Sequence, residues 1–305
     1  MQKLPIGIFD SGLGGLTVAG EIMRALPDEG IVYLGDTARC PYGPRGRDEV
    51  RRFVLEIGAW LTSRQVKLIV IACNTASAAG LALAQRAFDV PVIGVVEPGA
   101  RAAVKATVNR HVGVIGTVGT IASGAYRTAV HALDAGVRVE SVATPYFVDV
   151  VEQGLRLGEQ GTLEEWLADG GDRTLDPPFE PAAREYLEPL AASGIDTLVL
   201  GCTHFPLLEE SIGRIVGPGV RLISSAGETA REVADTLAMR GHLAPKGSPR
   251  REVFATTGDA EEFRGLGTRV LGRPVETSVH VPVTELESLL DVRLEAALAA
   301  DIQEG

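Results

Sequence analysis

Two segments of the sequence echo one another around a cysteine. Residues 68–76 read LIVIACNTA and residues 197–205 read TLVLGCTHF. Each is an apolar run, a small residue, a cysteine, two polar residues and the start of a helical pattern. Backbone N–H groups at a helix N-terminus favour negative charge and lower a thiol's pKa. Cys73 and Cys202 are therefore a candidate acid–base pair. Inverting a stereocentre removes a proton from one face of a carbon and returns one to the other. Two opposed groups, one thiolate and one thiol, suit that task. A lone cysteine at a strand end is usually a small buried hydrophobe. A matched pair, each followed by polar residues, reads differently.

Other polar residues fall at the same kind of junction. Asp10 and Ser11, in IFDSGLGGLT, follow an apolar run. Asp10 can accept a substrate ammonium or a proton there, or either residue can cap a helix. The glycines do not complete a dinucleotide fingerprint or a P-loop, because position 17 is threonine and no Gly-Lys-Ser/Thr follows. Asn74 and Thr75, and Thr203 and His204, can hold carboxylates without net charge, or cap their helices. His204 can also share the proton of Cys202. Thr117 and Thr120, in GTVGT, are donors at another strand–loop–helix turn, where close packing explains the glycines equally well. Pro41, Tyr42 and Gly43 form a turn or a substrate-facing lid. Glu152 falls after an expected strand or turn, and by itself is an ordinary solvated glutamate. Cys40 has no polar cluster after it and reads as a spectator.

The elements that must position these groups alternate. Val- and Ile-rich runs at 6–9, 31–34, 68–72, 92–96, 112–115, 137–142, 197–200 and 220–223 are separated by Ala-rich amphipathic stretches at 17–26, 48–63, 77–88, 98–106, 119–135, 181–193 and 228–240. Strands apolar on both faces and separated by helices predict an α/β protein with mostly parallel sheets. Open α/β sheets place ligands at the C-terminal ends of their strands. The repeated cysteine unit suggests two such domains with one thiol on each wall of a cleft. Residues 154–181, acidic and rich in Gly and Pro, read as an inserted loop with a short helix near 163–167. The pattern after about residue 258 is too mixed to place.

Composition excludes several classes. A net charge of −11 argues against non-specific nucleic-acid or anionic-membrane binding. No apolar run reaches membrane-spanning length, and the N-terminus lacks the apolar core of a secretory signal, so the cytoplasm is the expected compartment. Three cysteines without a CxxC pair fit neither a disulfide framework nor a structural zinc site. No metal is expected.

The segments IGIFDSGLGGLTV, YLGDTARCPYGPR, IVIACNTASA, VIGVVEPGA, VGVIGTVGTI, VLGCTHFPLL and ETAREVADTL resemble the glutamate racemases, within the aspartate/glutamate racemase superfamily. The likeness spans about residues 5 to 240. It implies two pseudosymmetric α/β domains, here residues 1–97 plus 210–305 and residues 98–209, with the active site in the interdomain cleft. It implies cofactor-independent interconversion of L- and D-glutamate, with neither pyridoxal phosphate nor metal, feeding peptidoglycan synthesis. It makes Cys73 and Cys202 the catalytic pair, Cys73 acting on D-glutamate and Cys202 on L-glutamate. It puts substrate contacts on Asp10, Ser11, Tyr42, Gly43, Asn74, Thr75, Thr203 and His204, and proton-transfer help on Asp10, Glu152 and His204. Pro41 and Thr117 are further expected binding positions. A homodimer is expected. Three features depart from the pattern. The insert looks long, serine stands at Ser224 where aspartate is expected, and there is no N-terminal extension of the kind that serves activation by a cell-wall precursor. Rival readings are another amino-acid racemase or a cis–trans isomerase on the same fold, a non-catalytic amino-acid sensor, and a thiol redox protein.

Overall fold

The computed structural model describes residues 1–158 and 161–304. It contains two all-parallel sheets flanked by helices. The strands are β1 (Ile6–Asp10), β2 (Ile31–Gly35), β3 (Leu68–Ile71), β4 (Val92–Gly94), β5 (His111–Gly116), β6 (Arg138–Ala143), β7 (Thr197–Gly201), β8 (Arg221–Ser224), β9 (Glu252–Thr256) and β10 (Ser278–His280). Their orders are β10-β9-β2-β1-β3-β4 and β6-β5-β7-β8. The central strands β1, β2 and β7 are buried along their whole length, which is why they read as unbroken apolar runs.

The helices are α1 (Leu16–Ala25), α2 (Arg47–Ser63), α3 (Asn74–Ala87), α4 (Val96–Ala106), α5 (Val118–Ala122), α6 (Ala125–Leu133), α7 (Tyr146–Leu157), α8 (Leu163–Ala168), α9 (Phe179–Ala192), α10 (Glu209–Val216), α11 (Ala226–Met239), α12 (Ala260–Leu271), α13 (Val283–Glu287) and α14 (Val292–Glu304). None of the described helices is long and apolar enough to cross a membrane.

All eight expected strands form. Two more were not foreseen: β9 lies just before, and β10 within, the part of the chain after about residue 258 whose pattern was unreadable, and they extend the first sheet beside β2. The expected division of the chain at residue 210 put β8 in the first domain. β8 instead pairs with β7, so the second sheet runs on to Ser224. The β–α–β rhythm that builds this sheet simply continues through α10 before the chain returns. The single helix expected over 119–135 is two, because Gly124 takes a left-handed φ of +65° between α5 and α6.

The insert is more ordered than a loop. Its first residues, 154–157, continue α7. Gly154 is a packing glycine rather than a breaker: a Cβ there would lie 2.2 Å from Leu163 Cδ1. Residues 159 and 160 of the insert lie outside the described residues. Leu163, Leu167, Leu175 and Phe179 are buried in the larger core cluster. Phe147 of α7 stacks edge-on against Phe179, Tyr186 and Phe205, with ring centroids 5.3–5.8 Å apart. The insert thus clamps α7 against the segment that follows Cys202. Thr162 and Glu165 start α8 with a reciprocal capping box. Thr162→Ala is expected to cost about 1 kcal/mol, read as a lower urea midpoint, while activity is kept because Thr162 does not line the site.

Candidate active site

The two sheets present their chemistry where strand order reverses. In the first, β1 and β3 are neighbours, and Asp10 and Cys73 sit at and just beyond their C-terminal ends. In the second, β5 and β7 are neighbours, and Thr117 and Cys202 follow them. These four ends converge on one narrow cavity. Cys73 and Cys202 line it together with Ser11, Asn74, Thr203 and His204, and Pro41, Tyr42, Gly43, Thr75 and Thr117 complete its wall. Its volume is about 20 Å³, room for about one water. An amino acid enters only when the walls part. A larger cavity of about 680 Å³ lies at the opposite, N-terminal ends of β1 and β2, but its lining holds no cysteine or histidine. Chemistry, not size, locates the site.

Each thiol has its own partners. Cys73 is the N-cap of α3, and its Sγ accepts from Ala76 N at 3.5 Å. Its Sγ also lies 3.7 Å from Ser11 Oγ, as donor. Burial, reinforced by the charge of Asp10, pushes the thiol up to about 12 against the Ala76 and Ser11 hydrogen bonds. At neutral pH Cys73 is therefore a thiol. Across the cavity, Cys202 Sγ lies 3.7 Å from His204 Nδ1, and His204 Nε2 lies 2.8 Å from Glu152 Oε1. Burial works against the imidazolium, but Cys202 and Glu152 outweigh it and hold the ring well above the usual histidine range. Burial raises the Glu152 carboxyl, yet His204 and Arg156 bring it below its ordinary value. Arg156 NH2 lies 3.2 Å from Glu152 Oε2.

Glu152 does not line the cavity itself; it meets His204 of the cavity wall from within α7, not from a strand or turn. The run FVDVVEQ alternates Val with other residues and resembles a strand over a short window. The buried residues of the whole segment, Phe147, Val148, Val150, Val151, Gly154 and Leu155, nevertheless follow the three- and four-residue spacing of a helix.

Polar contacts between the two halves form the cavity walls. Thr203 Oγ1 donates to Asp10 Oδ1 at 3.3 Å. Thr75 Oγ1 and Thr117 Oγ1 lie 2.8 Å apart, and Thr120 joins both. Gly119 N donates to Gly43 O at 3.0 Å. Asp10 is fully buried; burial raises its carboxyl against His204 and the N–H groups of Gly12 and Gly15. Gly14 is required by proximity: a Cβ there would meet Thr203 Oγ1 at 2.5 Å and His204 Nδ1 at 2.6 Å. The Tyr42 hydroxyl does not turn to the cavity. It donates to Asp36, which also receives Arg39 and Thr257, so Tyr42 contributes its ring and backbone.

The chain matches the family model described as Asp/Glu/Hydantoin racemase over residues 15–233. A glutamate racemase of Shouchella clausii is 48% identical over 279 residues, 91% of this chain and 94% of that one. The chain belongs to the glutamate racemase family. It is therefore an isomerase acting on an amino acid. The solved glutamate racemase of Thermus thermophilus, in complex with beta-chloro-D-alanine, is 44% identical with a TM-score of 0.79, covering 93% of this chain and 99% of that one. That of Francisella tularensis, in complex with D-glutamate, is 32% identical with a TM-score of 0.80, covering 94% and 100%.

Cys40, read from the sequence as a spectator, lines the cavity, and a Cβ on Gly12 would lie 3.2 Å from its Sγ. Burial and then the charge of Glu152 push its thiol far up, so it is a neutral wall group. Its place beside Pro41, Tyr42 and Gly43 was the signal available in the sequence. Val148, from α7, also lines the cavity. Among the described residues no group of three or more His, Cys, Asp or Glu side chains could hold a metal ion.

Proposed function

We propose that the enzyme racemises glutamate by moving a proton between the two faces of Cα with Cys73 and Cys202. The observation that carries this reading is that two cysteines, one at a strand end of each sheet, line the same cavity. One thiolate takes the α-proton while the opposite thiol gives one back. By family resemblance Cys202 serves L-glutamate and Cys73 serves D-glutamate. His204, held by Glu152, takes and returns a proton at Cys202 Sγ.

The carbanion is the difficult species, since a Cα–H is a very weak acid. Donors aimed at the α-carboxylate in a closed, dry cavity stabilise it. Asn74, Thr75, Thr117, Thr203 and neighbouring backbone N–H groups are the supply of such donors, and Asp10 with Ser11 faces the ammonium. The 2.8 Å threonine pair between the two halves must part to admit substrate, which frees its hydroxyls to face it. We further propose that the enzyme acts in the cytoplasm as a homodimer and supplies D-glutamate for peptidoglycan.

The test is optical rotation of L-glutamate with purified protein and no added cofactor. Decay of rotation towards zero is expected, faster than with L-aspartate. Constant rotation, or a preference for aspartate, overturns the assignment. In deuterated water, product lacking deuterium at Cα overturns proton abstraction.

A further inference from the structure

Asn74 stands beside Cys73 with half of its amide unused. Its side chain is buried and lines the cavity. Its Oδ1 accepts from the Tyr126 hydroxyl at 2.7 Å, whereas its Nδ2 is buried and has no hydrogen-bond partner. A buried amide N–H left unpaired is costly, and such a group is normally satisfied by something. The two ends of an asparagine amide are nearly alike in size, so a partner must decide which end faces which way. Here that partner is a phenol from the other half of the molecule.

Tyr126 lies on α6, packed in the second sheet's core. It is itself buried and does not line the cavity. Two glycines fix its ring. A Cβ on Gly99 would lie 3.1 Å from Tyr126 Cε1, and one on Gly201, the residue before Cys202, would lie 3.1 Å from Cε2. The Gly99 backbone also borders the hydroxyl end of the ring, where a Cβ would meet the Tyr126 oxygen at 3.1 Å and Ser225 Cβ at 3.2 Å. The phenol proton goes to Asn74 Oδ1.

We propose that Tyr126, its ring confined by Gly99 and Gly201, is a positioning residue: it holds the Asn74 amide so that its N–H groups, not its oxygen, meet a substrate carboxylate. The inference rests on reading the cavity as the amino-acid site. It also gives the second sheet a hold on a donor of the first. A substrate carboxylate would supply the acceptor that Asn74 Nδ2 lacks. If the amide turned over, a carbonyl oxygen would face the carboxylate and repel it.

Tyr126→Phe keeps the ring and removes only the donor. We expect kcat/KM for glutamate to fall about tenfold, the scale of a hydrogen bond to a charged group, through a higher KM, with a thermal midpoint lowered by only a few degrees for the lost buried hydrogen bond. In an Asn74→Ala background the same substitution should have no further effect, because the two act as one unit. Asn74→Asp should fall below Asn74→Ala, since the phenol would then leave an anionic oxygen facing the substrate. That variant serves as the test should Tyr126→Phe not fold. An unchanged kcat/KM in Tyr126→Phe, equal losses in both backgrounds, or Asn74→Asp no worse than Asn74→Ala overturns the proposal. Wild-type protein is assayed alongside. Failure of wild type to racemise glutamate refutes the functional reading, whereas an active wild type with an unaffected Tyr126→Phe refutes only the role of Tyr126.

Discussion

Cys73→Ala and Cys202→Ala each abolish racemisation, by about a thousandfold or more in kcat/KM, and leave a folded protein. The stability cost is about 1 kcal/mol, because each change removes one small, nearly buried sulfur. The chemistry loses far more than the fold, since inversion needs a group on both faces. The L and D forms have equal free energy, so kcat/KM must fall by the same factor in both directions. A loss in only one direction is thermodynamically impossible, and an asymmetry has to be sought elsewhere. Solvent exchange provides it. A variant with one thiol can still remove a proton from its own face and return a solvent-derived one to that face. Cys73→Ala is therefore expected to place deuterium at Cα of L-glutamate without inversion, and Cys202→Ala to do so with D-glutamate. Proton NMR of unreacted substrate in deuterated water reads this directly. Near wild-type turnover in either variant ends the two-thiol mechanism. Exchange of both enantiomers by the same single-thiol variant refutes the assignment of one thiol to each face.

How much of this was legible in the sequence depended on range. Most of the eight strands were readable because each carries its own evidence, an apolar run buried on both faces, and the half-buried edge strands β6 and β8 still carry Val, Leu and Ile between clear helical stretches. β10 was not, because it is three residues long and two of the three are exposed; only pairing with β9 makes it a strand. The break between α5 and α6 required knowing that Gly124 would turn left-handed rather than sit in a helix. Cys73 and Cys202 were readable because the same local unit surrounds both. For Cys40 the neighbouring Pro41, Tyr42 and Gly43 gave only a hint, because what places it in the wall is the approach of the Gly12 loop, distant in the sequence. The same holds for Tyr126. A tyrosine on an amphipathic helix reads as core, and its bond to Asn74 joins helices α6 and α3, which flank different sheets and lie far apart in the sequence. Residue types announce which chemistry is possible, whereas partners across the cavity set which atom faces the substrate.

Glu152 is the residue whose charge reaches the reaction through another side chain, and Glu152→Gln isolates that charge. Glutamine keeps an oxygen able to accept from His204 Nε2 but loses the negative charge that helps hold the imidazolium. The sign follows from the direction of the shift. The ring's folded pKa is raised above its ordinary value, so the cation persists at neutral pH and is lost as pH rises through that raised value. Removing the Glu152 charge lowers the value, so the alkaline limb of kcat/KM should begin at lower pH. At fixed neutral pH, kcat/KM should drop about a hundredfold, in the range of one impaired acid–base partner, and equally in both directions. The step that slows is proton transfer at Cys202. With α-deuterated L-glutamate the primary isotope effect on kcat/KM should therefore grow, because removal of that proton becomes limiting. With α-deuterated D-glutamate it should shrink, because the proton taken by Cys73 is no longer in the slow step. Arg156→Gln, which loosens Glu152 from its outer side, should move the limb the same way by less. An alkaline limb that stays in place in Glu152→Gln, or isotope effects that change alike for both enantiomers, would remove His204 and Glu152 from proton transfer at Cys202 and leave them only a packing role.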